Sequence, residues 1–426
     1  MRLLTRNDIM KAKLISKRYA LPFALITTLF FLWGFARAIL DVLNKHFQSE
    51  LSISITRSTM IQTVTYLGYF LMAIPAGIMI TRRGYRRGVV TGLICFGVGA
   101  LMFIPGAAVM SFPLFLTALF IIGCGLAMLE TAANPYAAEL GARETAASRL
   151  NLAQSFNGLG CIVAPALVGG FLFSDPNSSV ATPYTVLGIV VLLAAICFSR
   201  ADLPEIKTDD APVSTSEASA SVSGASRTLA QSVRALWSRR GFRLGILALF
   251  CYEIAEISIN SLFINYATYD GWLTPAVAAR ILSFGALALF MAARVTGSFV
   301  MSKIAAEKVL LFCAVMTVLG ACTVALDLGA VSKAAVFVCY AFEAIMFPTI
   351  FAITIAEAGD DVKIASSFCM MTPIGGAVGT FLMGLVADTA SISSSFLIPA
   401  AGYAFVLIYA IRECYAKPAK TRLVSE

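Results

Sequence analysis

Seven ionisable side chains stand inside long apolar runs: Arg37, Asp41, Glu130, Glu253, Glu256, Arg294 and Glu343. A charge at the centre of a lipid-spanning helix costs about 2.5–3.5 kcal/mol on insertion scales, so each one needs a reason. Five acids and two arginines do not cancel. Some of the acids are therefore protonated or face water, because a carboxyl in a poorly solvated cavity favours its neutral form. Such a group can load and release a proton. For any single residue the competing account is a structural ion pair, Arg37 with an acid or Arg294 with Glu343.

Uncharged polar residues cluster near these charges. Asn151, Gln154 and Asn157 are spaced i, i+3, i+6 and share one broad helix face, while Glu130 and Asn134 are i, i+4. Together they offer acceptors and amide donors to a polyhydroxylated solute. Phe30, Trp33, Phe156, Tyr340 or Phe347 could stack on its C–H faces. Hydrogen bonding between helices is the plainer reading of each amide taken alone; an amide cluster beside a carboxylate favours a solute site.

The elements that must position these groups are legible in the composition. Of 426 residues 59% are hydrophobic and only 13% are charged, against about 25% charged in soluble domains. A soluble fold of this size has no place to hide so much apolar surface, which excludes a cytosolic enzyme, a secreted domain and a disordered scaffold. Apolar runs near 20–44, 57–80, 88–106, 112–137, 149–173, 184–199, 242–267, 276–301, 308–326, 334–356, 364–387 and 394–411 approach the ~20 residues needed to cross a bilayer. The expectation is an all-α membrane protein of twelve transmembrane helices. The first run is too long for a cleaved signal and reads as a retained helix.

Sidedness follows from the basic residues. Of the lysines and arginines, 26 fall in the tails and alternate loops, against 3 in the opposite loops (Lys45, Arg57 and Lys333). This positive-inside pattern places both termini in the cytoplasm. Net charge is +8, without the basic patch and interleaved aromatics that a nucleic acid would require.

Residues 1–19 read as a cytoplasmic tail, 20–200 as a first six-helix bundle, and 201–240 as a flexible cytoplasmic linker rich in Ser, Ala and Pro. Residues 241–411 read as a second bundle and 412–426 as a tail. A weak repeat supports the division: a shift of 213 places Glu130 on Glu343 and Pro135 on Pro348.

Other chemistries find no support. Nine of the ten cysteines lie within apolar runs, none in a C-x-x-C pair, and read as small packing residues. A single histidine argues against a metal site or a hydrolase, so no metal is expected. The Gly-Cys-Gly at 123–125 and Gly-Leu-Gly at 158–160 lack the strand–turn–helix setting of a nucleotide loop and read as close helix packing. No enzyme activity is expected.

Several segments carry a resemblance. GIMITRRGYRR from Gly77 resembles the G-x-x-x-D-R-x-G-R-R loop of the major facilitator superfamily, with Thr81 in place of the acidic residue. FFLWGFARAILD (30–41), IQTVTYLGYFLMAIPAG (61–77), LETAANP (129–135), RLNLAQSFNGLG (149–160), FPTIF (347–351) and SSFCMMTPIGGAVGTFLMGLVAD (366–388) look more specifically like the fucose–galactose–glucose:proton symporter family. The resemblance covers about 20–411 and implies the major facilitator fold, two six-helix bundles with a site between them.

It also implies roles. Asp41 matches the helix-one aspartate that is protonated, and Glu130 the glutamate that contacts sugar and takes part in coupling. Gln154 and Asn157 match sugar-contacting amides, and Arg294 an arginine facing the cavity. Fucose permeases resemble N-N-x-N-D before the acidic position, where this chain has Arg37-Ala38-Ile39-Leu40-Asp41. Glu256 and Asn260 sit in AEISINSLFINYA, similar to G-A-E-V-S-I-G-S of glucose/galactose-type members.

The resulting expectation is a monomeric proton-coupled symporter of the bacterial inner membrane, importing L-fucose or a related hexose by alternating access. It needs no cofactor, the proton being the coupling ion. Its partners are a small sugar and the lipid bilayer. Asp41 and Glu130 are expected to couple the proton. Glu130, Asn134, Gln154, Asn157, Asn151, Trp33, Arg37, Glu256, Asn260, Arg294 and Tyr340 are expected to line the sugar site. Glucose, galactose or N-acetylglucosamine uptake, proton-driven efflux, and a non-transporting sugar receptor are the alternatives.

Overall fold

In an apolar solvent every backbone N–H and C=O must be satisfied within its own segment, so runs of this length become helices. The computed structural model describes residues 19–140, 146–175, 178–201, 229–301, 303–358 and 361–416. Within them twelve helices are long and apolar enough to span a membrane. They are α1 (Ala20–Leu51), α2 (Ile55–Ile80), α3 (Arg82–Ala108), α4 (Phe112–Asn134), α5 (Leu152–Leu172), α6 (Ala181–Arg200), α7 (Arg240–Thr268), α8 (Pro275–Met301), α9 (Ala306–Ala325), α10 (Ala330–Ala356), α11 (Ile364–Thr389) and α12 (Ser394–Tyr415). With an even number of crossings, the start of α1 and the end of α12 share one face, here the proximal face; the other is the distal face.

The two bundles are built alike. In the first, a Cβ on Gly34 would collide with the Asn157 carbonyl and one on Gly160 with the Phe31 carbonyl, so α1 and α5 meet backbone to backbone. In the second, Gly375 and Gly379 of α11 stand in the same relation to the Phe250 and Ile254 carbonyls of α7. Small residues are the means by which helices approach closely where lipid offers no hydrophobic driving force. This pairing of first with fifth helix in each half is stronger evidence of a duplicated unit than the short sequence repeat.

Breaks in the helices are local and specific. Gly84, at φ 80°, kinks the chain within the first residues of α3, a conformation costly for any residue with a Cβ. In α10 the regular helices Ala330–Glu343 and Met346–Ala356 are separated at Ala344 and Ile345. The α11 segment breaks before Pro373, between Val362–Cys369 and Ile374–Thr389. Residues 282–287 of α8 wind as a π-turn, widening the helix below Arg294.

The stretch expected as linker divides in two. Residues 202–228 lie outside the described residues, but Leu229–Ser238 forms a short helix. Leu236 buries against Phe242, Ala358 and Ala365, and Trp237 meets Phe242 and Phe368 edge-on. The last ten-residue portion therefore belongs to the second bundle, because its apolar stripe finds a partner there. The tail 1–19 lies outside the described residues except for Tyr19.

Candidate functional site

On α1 the residues Trp33, Arg37, Asp41, Asn44 and Gln48 recur at spacings of four, four, three and four, which places them on one face. That face meets α7 of the other half. Arg37 Nη2 pairs with Glu256 Oε2 at 3.0 Å. The second oxygen of Glu256 accepts from Asn260 Nδ2 at 3.1 Å, one turn along α7. Toward the distal face, Asn44 Nδ2 donates to Ser261 Oγ at 2.9 Å, and Asn265 Nδ2 donates to Gln48 Oε1 at 2.6 Å. Three rungs thus join α1 to α7, ionic near the middle and amide farther out.

Asp41 lies between two of these rungs and does not join them. It is 8% exposed and accepts from Gln62 Nε2 of α2 at 3.1 Å. Among the described residues it has no ion pair within 4 Å. Glu130 of α4 accepts from Tyr69 Oη, also on α2. Gln62, Tyr66 and Tyr69 are spaced i, i+4, i+7, so one stripe of α2 serves both acids, with Tyr66 and Tyr69 rings 6.3 Å apart. Glu253 is buried on α7 and lies within electrostatic reach of Glu256, Arg37, Glu130 and Arg294.

The amides of α5 divide. Gln154 Nε2 donates to Asn134 Oδ1 at 3.1 Å, joining α5 to α4 beside Glu130. Asn157 Nδ2 donates to the Phe30 carbonyl of α1 at 3.2 Å, so its donor is already committed to helix packing. The Asn151 backbone is helical, but its side chain lies outside what the structure describes. Trp33 is buried and packs against Phe30, ring centroids 5.9 Å apart.

In the second half two expectations change. Tyr340 is fully buried, edge-on to Phe263 at 5.9 Å, and in this conformation has no ring face free to stack on a solute. Arg294 and Glu343 do not form an ion pair among the described residues. Arg294 Nε instead donates to the Ala344 carbonyl at 3.0 Å, and the guanidinium lies 4.7 Å from the Phe290 ring centroid. That carbonyl lacks its helical donor because Pro348, four residues on, has no N–H, so the arginine satisfies a group the helix has released. Glu343 is fully buried and accepts from Tyr403 Oη of α12, inside the bundle. Phe156 and Phe347 keep accessible surface, whereas Phe30 does not.

Polar residues that sequence reasoning passed over complete the seam. They are Gln62, Tyr66 and Tyr69 on α2, Asn44, Gln48, Ser261 and Asn265 on α1 and α7, and Asp388 on α11. Asp388 accepts from the amides of Ile55 and Thr56 at 3.0 and 2.7 Å. Gln62, Tyr66, Tyr69, Asn44, Ser261 and Asn265 are polar within apolar runs, a signal present in the sequence, whereas Gln48 and Asp388 stand just beyond the ends of theirs. These cross-half contacts lie from the Arg37–Glu256 level toward the distal face, where the two bundles are zipped together.

Comparison with known proteins agrees with this architecture. The Major Facilitator Superfamily profile matches residues 26–368. The chain is 36% identical to the L-fucose-proton symporter of Escherichia coli K12 over 420 residues, 93% of each chain. It is 31% identical to a glucose/galactose transporter of Brucella abortus over 418 residues, covering 96% of this chain and 97% of that one. The crystal structure of a Major Facilitator Superfamily transporter, FucP, in the outward conformation superposes with a TM-score of 0.67 at 34% identity, over 93% of this chain and 99% of the other.

Proposed function

The chain belongs to the major facilitator superfamily and, within it, to the fucose–galactose–glucose:proton symporter family, and on that premise we propose that it imports a monosaccharide together with a proton by alternating access. The observation that carries this reading is the placement of Asp41 and Glu130. Both are acids within spanning helices, both are held by α2, and both adjoin the seam where the two bundles meet.

The steps follow from the cost of buried charge. With the distal side open to water, Asp41 takes a proton. Sugar binds between the bundles through Glu130, Gln154 and Asn134, with Asn157, Arg37, Glu256, Asn260 and Arg294 around it and Trp33 and Phe156 beside its apolar faces. Zipping of α1 against α7 then buries Asp41, and a carboxyl without a counter-ion is cheaper to bury with its proton on. The bundles rock, sugar and proton leave on the proximal side, and the acids return as anions. No cofactor is called for beyond the proton.

The positive-inside excess of 26 basic residues to 3 makes the proximal face cytoplasmic, and the setting is a bacterial inner membrane. We take the working unit to be one chain, since the site is complete within it. L-fucose or a related hexose is the cargo this reading favours. The Glu256–Asn260 pair supports glucose or galactose as the second choice, since the fucose-type asparagines before Asp41 are absent here and an arginine stands among them.

The test is a panel of L-fucose, glucose, galactose and N-acetylglucosamine in proteoliposomes carrying an internal pH reporter. One sugar is expected to acidify the lumen as it enters. Asp41→Asn is expected to abolish uphill uptake while counterflow exchange survives. Accumulation against a gradient by Asp41→Asn, with proton influx intact, would overturn the coupling role.

A further inference from the structure

We propose that Arg37 is a shared counter-ion, bound to Glu256 when the distal face is zipped and turned to Asp41 when it opens, so that closure depends on the proton at Asp41. The proposal rests on the symport reading above and adds to it a positioning residue and its switch.

The geometry is that of one cation between two acids on different bundles. Arg37 and Asp41 are i, i+4 on α1, the spacing at which an arginine and an aspartate can meet on one helix face. Glu256 belongs to α7 and reaches Arg37 only because the bundles are in contact. In this zipped arrangement Arg37 is committed to Glu256, whose other oxygen is fixed by Asn260. Asp41 is left buried with one amide donor, Gln62.

The groups facing Asp41 come from several helices: Arg37 on α1, Tyr66 and Gln62 on α2, Cys161 on α5, Glu256 on α7 and Tyr340 on α10. Arg37 alone among them carries positive charge. An ionised Asp41 would therefore stand unpaired in the zipped state, which a buried carboxylate tolerates poorly.

When α7 withdraws, Glu256 leaves with it while Asp41 stays on the helix that carries Arg37. The guanidinium then has one acid within reach. It supports the ionised carboxylate until a proton arrives from the distal side. Protonation releases Arg37, and Glu256 can recapture it as the seam closes. An empty, deprotonated carrier keeps its arginine occupied and resists zipping. Arg37 thus does what no fixed ion pair could: it makes one salt bridge available to either half of the cycle and never to both.

The experiment is an infrared titration of the protonated-carboxyl stretch in the full chain, in lipid vesicles without sugar. The band lost in Asp41→Asn is assigned to Asp41. Glu256→Gln leaves Arg37 free to turn to Asp41 even when zipped, so the midpoint of that band is expected to fall by about one to three pH units. Arg37→Gln removes the cation and is expected to raise it, while Arg37→Lys keeps it near the parent value. Removing the Glu256 carboxylate lowers the midpoint to some extent even if Arg37 never turns, so the deciding comparison adds Arg37→Gln to Glu256→Gln: the fall is expected to be much smaller once the arginine is gone. An unmoved midpoint in Glu256→Gln, or a fall of the same size with and without Arg37, overturns the proposal. Glu256→Gln keeps side-chain shape and its bond to Asn260, and Arg37→Met serves in the same comparison if Arg37→Gln fails to fold. Because no sugar is present, failure of every sugar in the uptake panel would refute the transport reading and leave this result standing.

Discussion

The carboxylate of Asp388, at the distal end of α11, caps the amino terminus of α2 in the opposite bundle. It accepts from the amides of Ile55 and Thr56. The first amides of a helix have no partner within it, and the macrodipole favours negative charge there. Here that charge comes from the other half of the molecule, so the cap exists only while the distal face is shut. Asp388→Asn is expected to weaken the latch by about 1–2 kcal/mol. Measured by hydrogen exchange, the amides of 55–58 should open about ten times faster, with the α4 core unchanged. Equal protection in both proteins would mean the cap does not hold the face closed.

Tyr69 is the donor that Glu130 has on α2. Removing it in Tyr69→Phe leaves the ring packed and the acid without that bond, a loss worth about 1.5–3 kcal/mol for a charged acceptor. Proton-driven uptake is expected to fall by about tenfold or more, with the melting temperature within a few degrees of the parent. A variant that melts much lower and transports normally per folded molecule would assign Tyr69 to packing alone.

Most of the architecture was legible because a bilayer permits so few answers. Twelve apolar runs of spanning length become twelve helices, and boundary errors of several residues arise where α1 and α3 continue past the apolar core. The central acids were also legible, since a charge in an apolar run is conspicuous. What escaped was direction. Nothing in the spacing of Arg294 says that it turns to the Ala344 carbonyl, although the freeing of that carbonyl was legible, since Pro348 four residues on has no N–H to offer it. The burial of Tyr340 is likewise a property of the facing helix, where Phe263 supplies the surface it meets. The amide rungs at Asn44 and Gln48 were visible as residues, but their partners lie 217 positions away.

The crossing of α1 and α5 gives a stability prediction. Gly34 sits where any Cβ would strike the Asn157 carbonyl, whereas Gly170 on the same α5 has open space around it. Gly34→Ala is expected to cost about 1–3 kcal/mol by forcing the helices apart. Gly170→Ala should be neutral or slightly stabilising, because alanine is the better helix former. Thermal unfolding in detergent separates the two, and equal melting temperatures would remove the close crossing as a source of stability.

Asp270, in the turn after α7, carries a pH dependence of its own. Its hydrogen bond from Lys333 Nζ, at 2.6 Å, holds its carboxyl below the usual range, assisted by the Trp272 amide. The lysine also lies 5.2 Å from the Trp272 ring centroid. A lowered value means that the ionised form supports the fold. The contribution is full above the ordinary value near 3.8 and fades as pH falls through the lower folded one. Exchange protection at 269–273 should be level from neutral pH to about 5 and decline below about 4. Lys333→Gln should remove that acid-dependent step.

Gln154 and Asn157 make the sharpest contrast within the proposed sugar site, because the two amides are three residues apart on α5 yet differently engaged. Gln154 bonds another side chain, Asn134, and both can re-pair with hydroxyl groups at little cost. Asn157 bonds the main chain of α1 at the point where the two helices touch, so a ligand can draw on that donor only by giving up a packing contact. Truncating Gln154 should therefore appear as weaker substrate binding, with KM raised about tenfold, about 1.4 kcal/mol, and little change in melting temperature. Truncating Asn157 should lower the melting temperature by several degrees as well, since the bond that ties α5 to the main chain of α1 at their close crossing is lost. If Asn157→Ala raises KM without touching stability, the amide is a sugar contact first and its bond to α1 is incidental to this conformation.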